Sequence, residues 1–116
     1  MRNIVIAALL AASNLPTVAH ADAALSVGEL KAICTNSNNS SEKICNSYMI
    51  GFLGGSSWAL FFTKDLPSDR YCLPSRVTIR RIVTTFLDYA EKFPSKLDEP
   101  AHIELYVALK ADFPCK

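Results

Sequence analysis

The chain has 116 residues, half of them hydrophobic, with 12 basic and 11 acidic side chains and a formal net charge of +1. A near-neutral balance lacks the electrostatic footprint of a nucleic-acid binder, and a chain this short supports one domain with a modest core.

The N-terminus reads as an export signal. Arg2 supplies a positive charge, Ile4 to Ala12 form a short apolar run, and Ala19-His20-Ala21 gives a small-x-small cleavage site. The apolar run is too short to span a bilayer, so no membrane insertion is expected once the signal is removed. Residues 1–21 are therefore assigned to the signal peptide and 22–116 to one exported domain. Loss of Arg2 leaves that domain with equal numbers of acidic and basic residues, and His102 is its one histidine.

All four cysteines, Cys34, Cys45, Cys72 and Cys115, fall in the exported part. An even number in a small exported chain reads as a disulfide framework. No CxxC pair and no histidine pair accompanies them, which argues against zinc, redox-thiol and cofactor chemistry; neither a metal nor a catalytic residue is expected.

Helix 1 opens on Ser26-Val27-Gly28-Glu29, a capping box, with Leu25 and Leu30 at the staple positions. Leu30, Ile33 and Cys34 form its apolar stripe. From Thr35, "TNSNNSSE" ends the helix, because Asn and Ser side chains compete for the backbone.

Helix 2 is expected from Ser41 or Glu42 to Phe62, with Ile44, Cys45, Tyr48, Phe52 and Ala59 at helical spacing. Its second half, "MIGFLGGSSWALFF", is apolar on nearly every side. A buried central helix accounts for this, with Gly51, Gly54 and Gly55 admitting the close approach of another backbone. The sharper reading is that the surface around Trp58 and Phe62 meets a second chain. A strand over Trp58 to Thr63 is the alternative.

Helix 3 follows a polar connection. Thr78 caps it, and Ile79, Ile82, Val83, Phe86, Leu87, Ala90 and Phe93 form one stripe. Arg80 and Arg81 fall on the opposite, solvated face, with Asp88 two turns after Arg81. Pro94 ends the helix.

Helix 4 opens at Glu99-Pro100 with the proline in the first turn, and Asp98 and Glu99 suit its dipole. Its apolar residues, from Ala101 to Phe113, cover too many faces for the edge of a bundle. Either it is central or it contributes to an oligomer interface.

The result is an all-α, four-helix domain. Four cysteines permit three pairings. Cys34–Cys45 across the first hairpin and Cys72–Cys115 between the start of helix 3 and the end of helix 4 need the least distortion.

Two stretches carry a resemblance. "CNSYMIGFLGG" resembles a C-x-G-Y-I-x-G motif, and "YCLPSRVTIRRIVTTFLDYAEKFPSKLDEPAHIELYVALKADFPC" resembles a longer pattern ending in Phe-Pro-Cys. Both are similar to the Rap/Tai immunity proteins of bacterial type VI secretion systems, over roughly residues 26 to 115. Cys72, Pro74, Val77, Thr78, Pro94, Pro100, Ala101, Ala108, Leu109, Phe113, Pro114 and Cys115 match in type and order. Ser47, Arg81, Phe93 and the Gly55-Ser56 pair depart from the pattern.

The resemblance implies a periplasmic, disulfide-bonded, non-enzymatic protein, commonly a homodimer. It implies inhibition of a peptidoglycan-cleaving amidase effector by occlusion of its active-site cleft. The alternatives are a periplasmic acid-stress chaperone of the HdeA type or an orphan family member with another partner. Partner contacts are expected in polar loops, since the helix faces are committed to packing. Those loops offer Asp69, Arg70 and Tyr71 before helix 3, and Lys96, Leu97 and Asp98 before helix 4.

Overall fold

The computed structural model describes residues 24–62 and 70–116, with the backbone alone at 60–62. The expected signal peptide and Asp69 lie outside the described residues. Four helices form, α1 (Val27–Thr35), α2 (Asn39–Phe62), α3 (Ile79–Lys92) and α4 (Ala101–Asp112), with a 3-10 turn at Pro94–Lys96. Both expected disulfides are present, Cys34–Cys45 with Cα atoms 5.1 Å apart and Cys72–Cys115 at 4.9 Å.

The capping box of α1 is complete. The Ser26 amide donates to Glu29 Oε2 at 2.8 Å, and the Glu29 amide donates to Ser26 Oγ at 3.1 Å. Two further first-turn amides, which an α-helix leaves without internal partners, reach across the fold. Val27 donates to the Glu99 carbonyl and Gly28 to the Leu97 carbonyl, both at 2.9 Å. A β-carbon on Gly28 would lie 3.3 Å from that same Leu97 oxygen, so glycine is what lets the two backbones approach.

Helix α2 starts earlier than its sequence pattern suggests. The Asn38 side chain accepts the Ser40 amide at 2.9 Å and its carbonyl accepts the Glu42 amide at 3.0 Å. The asparagine-serine tract that stops α1 therefore also starts α2. In place of the strand considered over Trp58 to Thr63, α2 continues to Phe62.

The expectation of a buried central α2 is not met. Cys45 and Met49 are buried, but Ile50 is 58% and Trp58 68% exposed. Among the described residues, no heavy atom outside the local helix lies within 4 Å of a β-carbon built on Gly51, Gly54 or Gly55. The reason is length. At 24 residues α2 runs about 36 Å, while the 14 residues of α3 cover about 21 Å, so the outer half outruns α3.

The central position falls to α3, which packs against α1, α2 and α4. Ile82, Phe86 and Ala90 of the expected stripe are buried, while Phe93 at its end is 39% exposed. Helix α4 packs through Ala101, Leu105, Ala108 and Leu109 and leaves Ile103 and Val107 outward. Pro100 is its N-cap, one position outside the helix and not in the first turn; its carbonyl accepts the amides of Ile103 and Glu104 at 3.2 Å.

Arg81 stays exposed, as expected of its face. Its partner is Asp112 of α4, at 3.7 Å, and its guanidinium lies 5.7 Å from the Phe113 ring centroid. The Thr85 hydroxyl donates to the same Asp112 carboxylate at 2.8 Å. Thr78 caps α3 by accepting the Arg81 amide at 3.2 Å.

Candidate partner interface

The described residues of the two loop sets expected to meet a partner, Arg70 and Tyr71 in one and Lys96, Leu97 and Asp98 in the other, sit at opposite ends of α4. Its 12 residues separate them by about 18 Å along the helix axis.

At the C-terminal end, the segment after residue 69 is laced to the chain terminus. The Cys72 amide donates to the Phe113 carbonyl at 2.7 Å, Tyr71 forms an isolated antiparallel bridge with Pro114, and Cys72 is disulfide-bonded to Cys115. Tyr71, expected outside the apolar stripes, is in fact a core residue at 8% exposure. Its ring meets Tyr106 edge to face at a 5.8 Å centroid distance, and its hydroxyl shares a hydrogen bond with Ser56. Burial raises the Tyr71 pKa above its ordinary value. The phenol is anchored within the fold. Arg70 beside it is half-buried.

At the N-terminal end, Lys96 and Leu97 are half-buried and Asp98 is exposed. The segment around them is closely hydrogen-bonded. Lys96 donates to Phe93 at 2.9 Å, Glu99 to Lys96 at 3.0 Å, and Ala101 to Leu25 at 2.7 Å. With the Val27 and Gly28 amides bonded to its carbonyls, the segment is held along its length by α1. From beneath, Lys96 Nζ lies 3.7 Å from Glu104 Oε1.

Glu104 was not anticipated as a candidate. It is 5% exposed, on the stripe that buries Ala101, Leu105 and Ala108, and it accepts a hydrogen bond from the Tyr89 hydroxyl. A carboxylate three residues after Ala101 and one before Leu105 is on the core face by helical spacing alone, so a wheel of α4 would have found it. Burial, followed by the bond to Glu104 and its charge, pushes the Tyr89 pKa up to about 12.

A third surface lies between the outer half of α2 and α4. Phe52, Ser56 and Ala59 face His102, Ile103, Tyr106 and Val107 across an apolar groove of about 430 Å³. Trp58 stands exposed on the same half of α2. From Ile44 to Phe62, α2 carries no charged side chain.

Among the described residues, no group of three or more His, Cys, Asp or Glu side chains is placed to hold a metal ion. All four thiols are in disulfides. No helix among the described residues is long and apolar enough to cross a membrane.

No curated protein and no solved structure matches the chain. The family model of the Rap1a immunity proteins matches residues 26–115, from the capping serine of α1 to the last disulfide cysteine. That span takes in all four helices and both disulfides, and this chain belongs to the Rap1a immunity protein family.

Proposed function

We propose that this chain is a periplasmic immunity protein that binds a peptidoglycan-cleaving amidase effector of type VI secretion and occludes its active-site cleft. Family membership over residues 26–115 is the observation that carries the reading. The contact element is the segment Lys96-Leu97-Asp98, supported by its exposed Asp98 and by backbone bonds that hold it in one shape. An element already ordered loses little conformational entropy when a partner closes on it. Arg70 belongs to a secondary contact at the other end of α4.

The protein acts as a homodimer through the outer half of α2 and the groove beside α4. An isologous contact sets the same patch against itself, so a charged patch would meet its own charge. The face from Ile44 to Phe62 has none, and it offers Trp58 as a knob beside an apolar groove. Light scattering at micromolar concentration is expected to report twice the monomer mass, and a monomer there overturns the dimer.

The test of function is survival of cells that express a type VI amidase effector in the periplasm. The full chain protects them. A version lacking residues 2–21 does not, because the toxin and its substrate are outside the inner membrane. Failure of the purified amidase to bind the exported domain overturns the reading. The exposed apolar half of α2 also suits an acid-stress chaperone, which would suppress aggregation of unrelated proteins at low pH without binding the amidase at neutral pH.

A further inference from the structure

The buried carboxylate of Glu104 has no obvious place in an otherwise apolar packing face. Removing a carboxylate from water is costly, and apolar residues of similar volume commonly stabilise such sites at least as well. The helix dipole does not account for it either. A carboxylate in the first turn of α4 gains from the dipole whether or not it is buried, and an exposed one avoids desolvation. What burial adds is direction. Glu104 takes the Tyr89 hydroxyl on one oxygen and presents the other to Lys96 Nζ at 3.7 Å. Tyr89 is in turn packed on Phe93, with ring centroids 4.8 Å apart, at the point where the 3-10 turn leaves α3.

We infer that Glu104 is a positioning residue: held by Tyr89 and paired with Lys96, its buried carboxylate sets the conformation of the segment from Pro94 to Asp98. Its functional consequence rests on the reading above that this segment meets the toxin. Glu104 itself is 5% exposed and acts through Lys96, not by touching the partner. The opposite side of the segment is fixed by α1 through the Val27 and Gly28 amides, so Glu104 controls the side that α1 does not reach.

The experiment is a double-mutant cycle on the full exported domain, with Glu104→Gln, Lys96→Met and the two combined. Hydrogen exchange is read at the amides of Lys96, Leu97 and Glu99, which donate within the segment. Each single change is expected to speed exchange at these amides about tenfold, and the double change to add little beyond either one, because both remove the same interaction. Amides of α2, those of α1 beyond its first turn, and the melting temperature stay unchanged. A merely structural role would instead move melting and exchange throughout the domain together. Additive effects, or unchanged exchange at the three amides in both single variants, overturn the inference. Glu104→Leu is a further arm, expected to loosen the segment with no loss of melting temperature; if it fails to fold, the two milder variants still decide. Inhibition of the amidase used in the survival test is measured in parallel, and Glu104→Gln is expected to weaken it about tenfold. Loosened amides with full inhibition would leave the positioning role standing and remove the segment from the toxin contact.

Discussion

The segments docked on the two ends of α4 are secured by different physics. The one beginning at Arg70 is tied by a covalent bond, a backbone bridge and a buried aromatic ring: Cys72–Cys115, Tyr71 to Pro114, and Tyr71 against Tyr106. The one from Pro94 to Pro100 has no cysteine and little apolar mass. It is held by backbone amides of α1, by turn bonds of its own such as the Lys96 amide to the Phe93 carbonyl, and by the Lys96–Glu104 pair. The difference separates anchoring from presentation. The first end spends its side chains on the core, while the second is fixed through its backbone and leaves Asp98 outward.

The sharpest way to break this comparison is to cut the covalent tie. Replacing Cys72 and Cys115 with serine removes a link across 43 residues, worth about 4 kcal/mol on the chain-entropy account. The same change at Cys34 and Cys45, 11 residues apart, is expected to cost about 3 kcal/mol. Denaturant unfolding measures both, and a larger loss at the shorter link would contradict the ordering.

Tyr71→Ala tests whether that end is core. It removes a buried ring and leaves a cavity, with an expected loss of about 3 kcal/mol. Arg70→Ala, one residue away and half-buried, should cost under about 1 kcal/mol. Equal losses for the two would show that Tyr71 is not the anchor.

Two glycines sharpen the contrast from the other end. Gly28→Val drives a branched side chain at the Leu97 carbonyl and is expected to destabilise by about 1–2 kcal/mol. Gly54→Ala meets no heavy atom outside the local helix within 4 Å and improves helix propensity, so it should stabilise by about 0.5–1 kcal/mol. Calorimetric melting of the two variants checks the signs. Two shifts of the same sign would mean that the approach of α1 to the 94–98 segment is not what selects Gly28.

The effect that vanishes at neutral pH is the pH dependence from Tyr89. Its pKa is raised from 10.0 to about 12 in the folded protein, so the folded state holds the phenol proton more tightly than the unfolded chain. Its contribution is complete below pH 10, and stability then falls as pH rises toward 12. Tyr89→Phe should flatten that part of the pH–stability curve relative to the parent. An unchanged slope would show that Tyr89 does not supply it.

Where a feature depends on neighbours in sequence, it was readable before the fold was known. The Ser26–Glu29 box, the Thr78 cap, the break at Pro94 and the stripe of Ile82, Phe86 and Ala90 each follow from interactions within four residues of backbone. The disulfide pairing was readable too, because helix ends limit which cysteines can meet. Tyr71 was misplaced because polar residues surround it in sequence, while Ser56 and Tyr106 surround it in space. Arg81 shows the same limit: the chain offers Asp88 on its own helix, but the fold supplies Asp112 from another.

Sequence alone determined four helices, the caps of α1 and α3 and the covalent ties, since hydrogen-bond geometry and side-chain period act over a few residues. Tertiary structure alone decided which half of α2 is covered. An apolar helix carries no local mark of where its neighbours end, and α3 ends well short of it. Tertiary structure also decided that the amides of Val27 and Gly28 bond the segment before α4. A first-turn amide needs an acceptor beyond its own helix, and only the packing of distant segments determines which carbonyl is there.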